Sequence, residues 1–339
     1  MSQLIEVPIK TLVLEHPPHY AHSALDVAKL RESAIWSTSL RDKLQHQCSV
    51  LKLDSRYIDE LSVADFVAKT YNIGVHYTST DEEARLWMFA ATWAVFIFQF
   101  DDQFDQPRNT PENLSRLSMD LRLLIRALSR HGLSGLQGEL EDWPNTIISF
   151  RKAYLWVLRE GENLRTGTAE LTHYVFLDYL FGVEVELMEW APDVYRGDTT
   201  AWNLDRCNAV RKVSAGFPLA VLGPFYVANK WLKKEHITSC NDLLYDGGII
   251  VGLGNDLLGV KKDQKKDEIG LKTIKIASAN EIAQEHNMKV EHLRKDIQAL
   301  NGDTRKFMEE VEASIAGLFL WQINAKRYTS IGPGVTMIK

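Results

Sequence analysis

The chain has 339 residues, 45% of them apolar, enough to build a substantial core. Lys and Arg number 39 against 45 Asp and Glu, a net charge of −6 with no long basic block, which argues against a nucleic-acid partner. Cys48, Cys207 and Cys240 are widely spaced and form no CxxC pair, so neither a disulfide framework nor a structural zinc site is expected, and the cytoplasm is the expected compartment.

The first residues, "MSQLIEVPIKTLVLEHPPHY", lack a signal-peptide pattern, and residues 1–20 read as an irregular N-terminal arm. The longest apolar run, Trp87 to Phe98, is about 12 residues, short of the roughly 20 that a membrane span needs. Residues 89–100 read as a helix whose Phe89, Trp93, Phe96 and Phe100 share one face. It runs into "FQFDDQFDQP", where Asp101 and Asp105 lie four apart near a helix C-terminus. Like charges there oppose each other and the helix dipole unless a cation offsets them. A hard divalent metal would do so, and a solvated acidic helix end is the plainer alternative.

Further on, Leu114, Leu117, Leu121 and Leu124 mark one face of a helix. "AELTHYVFLDYLFGVEVELMEW" (169–190) is helical, with Asp178, Glu184, Glu186 and Glu189 reading as a solvated face in preference to a second metal site, and His173 as a structural histidine. In "IIVGLGNDLLGVKKDQKKDE" (249–268), Asn255, Gly259 and Asp263 fall on one stripe beside Lys261, Lys262, Lys265 and Lys266. Oxygen ligands without His or Cys favour Mg²⁺ or Mn²⁺, and flanking cations suit a diphosphate. Gly247, Gly248, Gly252 and Gly254 read as points of close helix approach. No β alternation bounded by hairpin turns occurs, so the chain is expected to be all-α and one domain over 21–332, with a tail at 333–339.

These features resemble the class I terpene synthases. The family's DDxxD motif is similar to Asp101, Asp102 and Asp105. Its NDxx(S/T)xxxE motif is similar to "NDLLGVKKD", with Asn255 and Asp256 intact, Gly259 at the hydroxyl position and Asp263 in place of glutamate. The diphosphate-sensing arginine is similar to Arg211 in "VRKVSAGFP", and the C-terminal Arg-Tyr pair to Arg327 and Tyr328. The resemblance spans roughly 60–330. It implies a helical bundle of the class I terpenoid synthase type, three Mg²⁺ ions (or Mn²⁺), and ionisation of a linear prenyl diphosphate.

On that resemblance, Asp101, Asp105, Asn255, Gly259 (through a water) and Asp263 hold metal, and Asp102 pairs with Arg211 once substrate is bound. Lys262, Arg327 and Tyr328 meet the diphosphate. Ser214 and Ala215 occupy a helix break whose carbonyl faces the reacting carbon. Phe89, Trp93, Phe96, Phe100, Phe319 and Trp321 are candidates for the aromatic wall, Phe96 and Phe100 first among them.

The expected activity is a sesquiterpene cyclase, a carbon-oxygen lyase acting on farnesyl diphosphate. Mono- and diterpene synthases, and a non-catalytic helical protein with degenerate metal motifs, are the alternatives. A prenyl-elongating enzyme would carry a second aspartate-rich motif where "NDLLGVKKD" stands. No partner beyond substrate is implied, with a homodimer left open.

Overall fold

Thr80 starts the central helix with a capping box. Its hydroxyl accepts from the Glu83 amide, while the Glu83 carboxylate accepts from the Thr80 amide at 2.7 Å. Asp81, Glu82 and Glu83 in the first turn complement the positive end of the dipole. The helix then runs apolar on every side, and such a helix is stable only when surrounded. Trp87, Phe89, Trp93, Phe96 and Phe100 are all buried.

The computed structural model describes residues 12–15, 38–73, 80–104, 111–131, 148–266, 276–329 and 335–338. In chain order these are β1 (Leu12–Glu15), α1 (Thr38–Leu51), α2 (Arg56–Glu60), α3 (Val63–Tyr71), α4 (Asp81–Asp101), α5 (Pro111–His131), α6 (Ile148–Leu164) and α7 (Thr168–Val185). A π-helical turn (Glu186–Trp190) follows. Next come α8 (Ala191–Arg196), α9 (Leu204–Ser214), α10 (Phe217–Ala228), α11 (Lys234–Ser239), α12 (Asn241–Lys266), α13 (Ala279–Ala299), α14 (Gly302–Gln322), α15 (Lys326–Thr329) and β2 (Val335–Ile338).

The expected all-α architecture is what the structure has, and α4 lies among α3, α6 and α10. The arm expected to be irregular carries a strand: β1 pairs in parallel with β2, Leu12 opposite Val335. No helix among the described residues is long and apolar enough to cross a membrane. Leu114, Leu117, Leu121 and Leu124 are buried as their spacing predicts, and His173 is a core residue whose Nδ1 meets the Tyr154 hydroxyl at 2.7 Å.

Glycines set how closely the helices pack around one end of the bundle. A Cβ at Gly248 of α12 would lie 2.6 Å from the Lys212 carbonyl, and one at Gly252 would lie 3.0 Å from Arg211 Cδ. A side chain at Gly248 would force α9 away from α12, and one at Gly252 would press on the Arg211 side chain. Gly182 of α7 does the same on the opposite side, where a Cβ would be 2.6 Å from the Ser214 nitrogen. The end of α9 is thereby clasped between α7 and α12.

Candidate active site

Helix α9 stops at Ser214 because the next turn cannot continue. Gly216 takes a left-handed conformation (φ 65°), open to glycine at little cost, and Pro218 sits in the first turn of the following helix. Pro218 has no N–H, so the Ser214 carbonyl has no i+4 donor there. The break is the one expected from "SAGFP", with Gly216 in the role that Ala215 does not fill.

Around this break lies a cavity of about 110 Å³. Asp101 at the end of α4, Arg211, Ser214 and Ala215 at the end of α9, Asn255 of α12, and Trp321 and Arg327 from the C-terminal helices all line it. The structure therefore brings together residues from four sequence motifs. A wider, open groove of about 410 Å³ lies between α7 and the start of α12, but no cationic side chain lines it. An anionic ligand has no counter-charge there.

The carboxylates divide their partners. Asp101 Oδ1 accepts from the Tyr179 hydroxyl at 2.6 Å. Asp102 turns away from the cavity lining and is buried at 8% exposure, where Arg327 grips it with two parallel hydrogen bonds, Nη1 to Oδ2 at 2.8 Å and Nη2 to Oδ1 at 2.5 Å. Tyr57 of α2 also donates to Oδ2. Burial, and then the Asp102 charge, hold the Tyr57 phenol well above its usual range.

Arg211, 6% exposed, pairs with Asp256, which is 1% exposed, and its Nη1 lies 3.6 Å from Glu186 Oε1. The structure pairs Asp102 with Arg327 and gives Arg211 a carboxylate from α12, whereas the pairing of Asp102 with Arg211 is expected once substrate is bound. Asn255 Oδ1 accepts from Gln322 at 3.2 Å.

The aromatic wall differs from the sequence expectation. Phe96 and Phe100 pack into a core cluster with Phe150 and Phe176, and the Trp93 indole donates to the Leu219 carbonyl at 3.0 Å. Phe89 abuts Gly161, and Phe319 sits beside His286. None of these five lines the cavity, whose rings are Phe98, Phe104, Phe217 and Trp321. The reason is helical phase. Phe98 is three residues before Asp101 and shares its face, whereas Phe100 is rotated about 100° from it.

Glu186 is the other missed residue. The acidic stretch expected to be a solvated face divides: Glu184 meets Arg122 and Glu189 meets Arg206 at the surface, Asp178 accepts from Tyr245, and Glu186 enters the cavity. Asp105 lies outside the described residues, as do the side chains of Lys262, Asp263 and Tyr328. Gly259 is buried on α12 one turn past Asn255.

For a metal, the cavity offers only oxygen donors among its uncharged and acidic polar groups: Asp101, Glu186, Ser214, Asn255 and Gln322. Hard oxygen ligands without imidazole or thiolate fit Mg²⁺. Among the described residues, no three His, Cys, Asp or Glu side chains gather into a metal cluster. Asp101 at the end of α4 and Asn255 in the middle of α12 are the described side chains of the expected donor set.

No protein-family model matches the sequence, and no curated protein does. Solved structures match it in fold. A single-residue variant of cucumene synthase superposes with a TM-score of 0.63 at 15% identity, over 88% of this chain and 98% of that one. The SVS_A2 protein from ancestral sequence reconstruction gives 0.59 at 16% identity, over 87% and 88%. An a-eudesmol synthase gives 0.54 at 16% identity, over 87% and 97%. The chain has the class I terpene synthase fold.

Proposed function

We propose that this chain is a Mg²⁺-dependent terpene cyclase that takes diphosphate from a linear prenyl diphosphate, farnesyl diphosphate first, and closes the resulting carbocation to a sesquiterpene. The observation that carries this reading is the meeting of Asp101, Asn255 and two buried guanidiniums, Arg211 and Arg327, in one cavity whose apolar wall combines four aromatic rings with aliphatic side chains such as Val183 and Leu318.

In the reaction the bond between the first carbon of the prenyl chain and its oxygen breaks, and the electron pair leaves with the diphosphate. Arg211 and Arg327, with Lys262 from the same helix as Asn255, would donate to oxygens whose negative charge grows in the transition state. Donors already in place need little reorganisation. Mg²⁺ held by Asp101 and Asn255, with Asp105 and Asp263, would supply Lewis-acid stabilisation of the same leaving group.

The carbocation left behind faces the negative end of α9, where the Ser214 carbonyl lacks its helical donor. Phe98, Phe217 and Trp321 offer π-faces and exclude water, with cation–π attraction of roughly 0.5–2 kcal/mol for each ring that the charge approaches. Loss of a proton, or capture of a water, ends the sequence. Small-molecule pockets run to about 300–1,000 Å³. A fifteen-carbon chain therefore enters a cavity of about 110 Å³ only as the wall re-packs.

Incubation of the purified chain with ten-, fifteen- and twenty-carbon prenyl diphosphates and Mg²⁺, followed by gas chromatography with mass detection, tests the reading. A sesquiterpene from the fifteen-carbon substrate is expected. Asp101→Ala should cut diphosphate release by about a hundredfold or more, the scale seen when a charge-stabilising group is removed. Folded protein that turns over none of the substrates, or an active Asp101→Ala variant, refutes it.

A further inference from the structure

Glu186 stands where α7 widens into a π turn, a local geometry that re-aims side chains and is frequent at functional sites. One of its oxygens, Oε1, accepts the Ser214 hydroxyl and also faces Arg211 Nη1 at 3.6 Å. The carboxylate is 13% exposed, and Arg211 and Ser214 are each 6% exposed. A single oxygen is thus shared between the cavity's guanidinium and the last residue of the broken helix. Gly182, one turn earlier, keeps α7 against Ser214 so closely that this contact has little room to slide.

The charges make the placement costly for anion binding. Arg211 is already matched by Asp256, so Glu186 adds negative charge to a cavity that, on the reading above, must admit a diphosphate. Like charges brought together out of water repel strongly. A residue that opposed the ligand and did nothing else would be a poor arrangement, whereas one that fixed the helix break would repay its cost.

We propose that Glu186 is a positioning residue. It holds Arg211 in reserve and anchors Ser214, so that an anion which takes over the guanidinium also changes the pull on the carbonyl end of α9. The inference rests on the cavity receiving a diphosphate, and it concerns how arrival of that anion is passed to the helix break. The coupling needs no movement of the backbone beyond the last turn of α9, because both partners meet the same oxygen.

The test uses the full chain and titrates inorganic diphosphate with Mg²⁺ by calorimetry, alongside steady-state kinetics on farnesyl diphosphate. Glu186→Gln keeps an acceptor for Ser214 and removes the charge. It is expected to bind inorganic diphosphate about fivefold or more tightly, the lower end of coupling between linked sites, while kcat falls without a rise in KM. Ser214→Ala, which frees Oε1 to turn wholly to Arg211, should weaken diphosphate binding and lower kcat, and the double variant should lose no more kcat than the worse single variant, since both act through one contact. Glu189→Gln, in the same acidic stretch but paired to Arg206 at the surface, should change nothing.

Diphosphate affinity of Glu186→Gln equal to or weaker than that of the wild type overturns the inference, as does an additive double variant. A wild type that binds diphosphate but turns over no prenyl substrate sinks the proposed function, while a tighter Glu186→Gln still supports the hold on Arg211. A wild type that binds no diphosphate overturns both.

Discussion

Replacing Arg327 should reveal what the buried ion pair is worth. Arg327 and Asp102 are each 8% exposed and joined by two hydrogen bonds, and the guanidinium also lies 5.6 Å over the Phe98 ring. Arg327→Met leaves the Asp102 carboxylate buried with only Tyr57 of these partners. Breaking a buried pair by removing one member costs about 3–5 kcal/mol. At about 2.1 cal/mol/K of unfolding entropy per residue, 3 kcal/mol lowers Tm by about 4 °C in a chain of 339 residues. Arg327→Lys keeps the charge but loses the planar fork, and should cost about 1.5 kcal/mol or more, roughly one charged hydrogen bond.

Differential scanning calorimetry gives the Tm of each variant, and a cycle with Asp102→Asn gives the coupling. The pair of single losses should exceed the double loss by about 2 kcal/mol or more, because the double variant buries no unpaired charge. Arg327→Met losing under about 1 kcal/mol, or losses that simply add, would refute the view of a desolvated pair and place Arg327 among surface ion pairs of little value.

Two further expectations follow from side chains outside that pair. Phe98→Ala should redistribute the terpene products, read by gas chromatography, whereas Phe100→Ala should spare their ratios and cost about 3–5 kcal/mol by emptying a core site. Equal product changes in both would contradict the assigned phase of α4. Burial pulls the His286 imidazole from 6.5 down to about 4. The unfolded chain therefore takes the proton first, so the contribution of His286 is whole above pH 6.5 and drains as pH falls towards 4, by on the order of 3 kcal/mol. Urea unfolding of His286→Leu should show a shallower acid limb, and an unaltered slope would exclude this residue as its source.

The helices and the acidic end of α4 were legible because burial imposes periodicity and charge at a helix end is locally costly. "SAGFP" announced its break through Gly216 and Pro218, whose backbone limits need no tertiary context. Gly248 of α12 likewise read correctly as a contact point, whereas Gly254 would accept a Cβ at an ordinary 3.6 Å from His286. The aromatic face did not, because a helix apolar on all sides has no hydrophobic phase. Asp101 itself supplied the missing phase, since Phe98 is its neighbour one turn back. Glu186 was hidden for another reason: it follows Gly182 by one turn on the face against α9, and nothing in "VEVELMEW" says that this face is covered while Glu184 and Glu189 meet surface arginines. That Arg327 reaches Asp102 depended on distances between remote helices, and spacing along the chain carries no such distance.

The grip of Arg327 on Asp102 joins residues 225 apart in sequence, while Tyr57 precedes Asp102 by only 45. At about 5–20 residues per second of synthesis, Asp102 waits on the order of 10–45 s for its cationic partner. During that interval the nascent chain can assemble α2 to α4 and offer the tyrosine, yet the acid has no counter-charge with which to leave water. Translation of the last helix is thus the step that seals the site. A chain stopped short of Arg327 would keep most of the buried apolar cluster while leaving Asp102 without the arginine that offsets its burial.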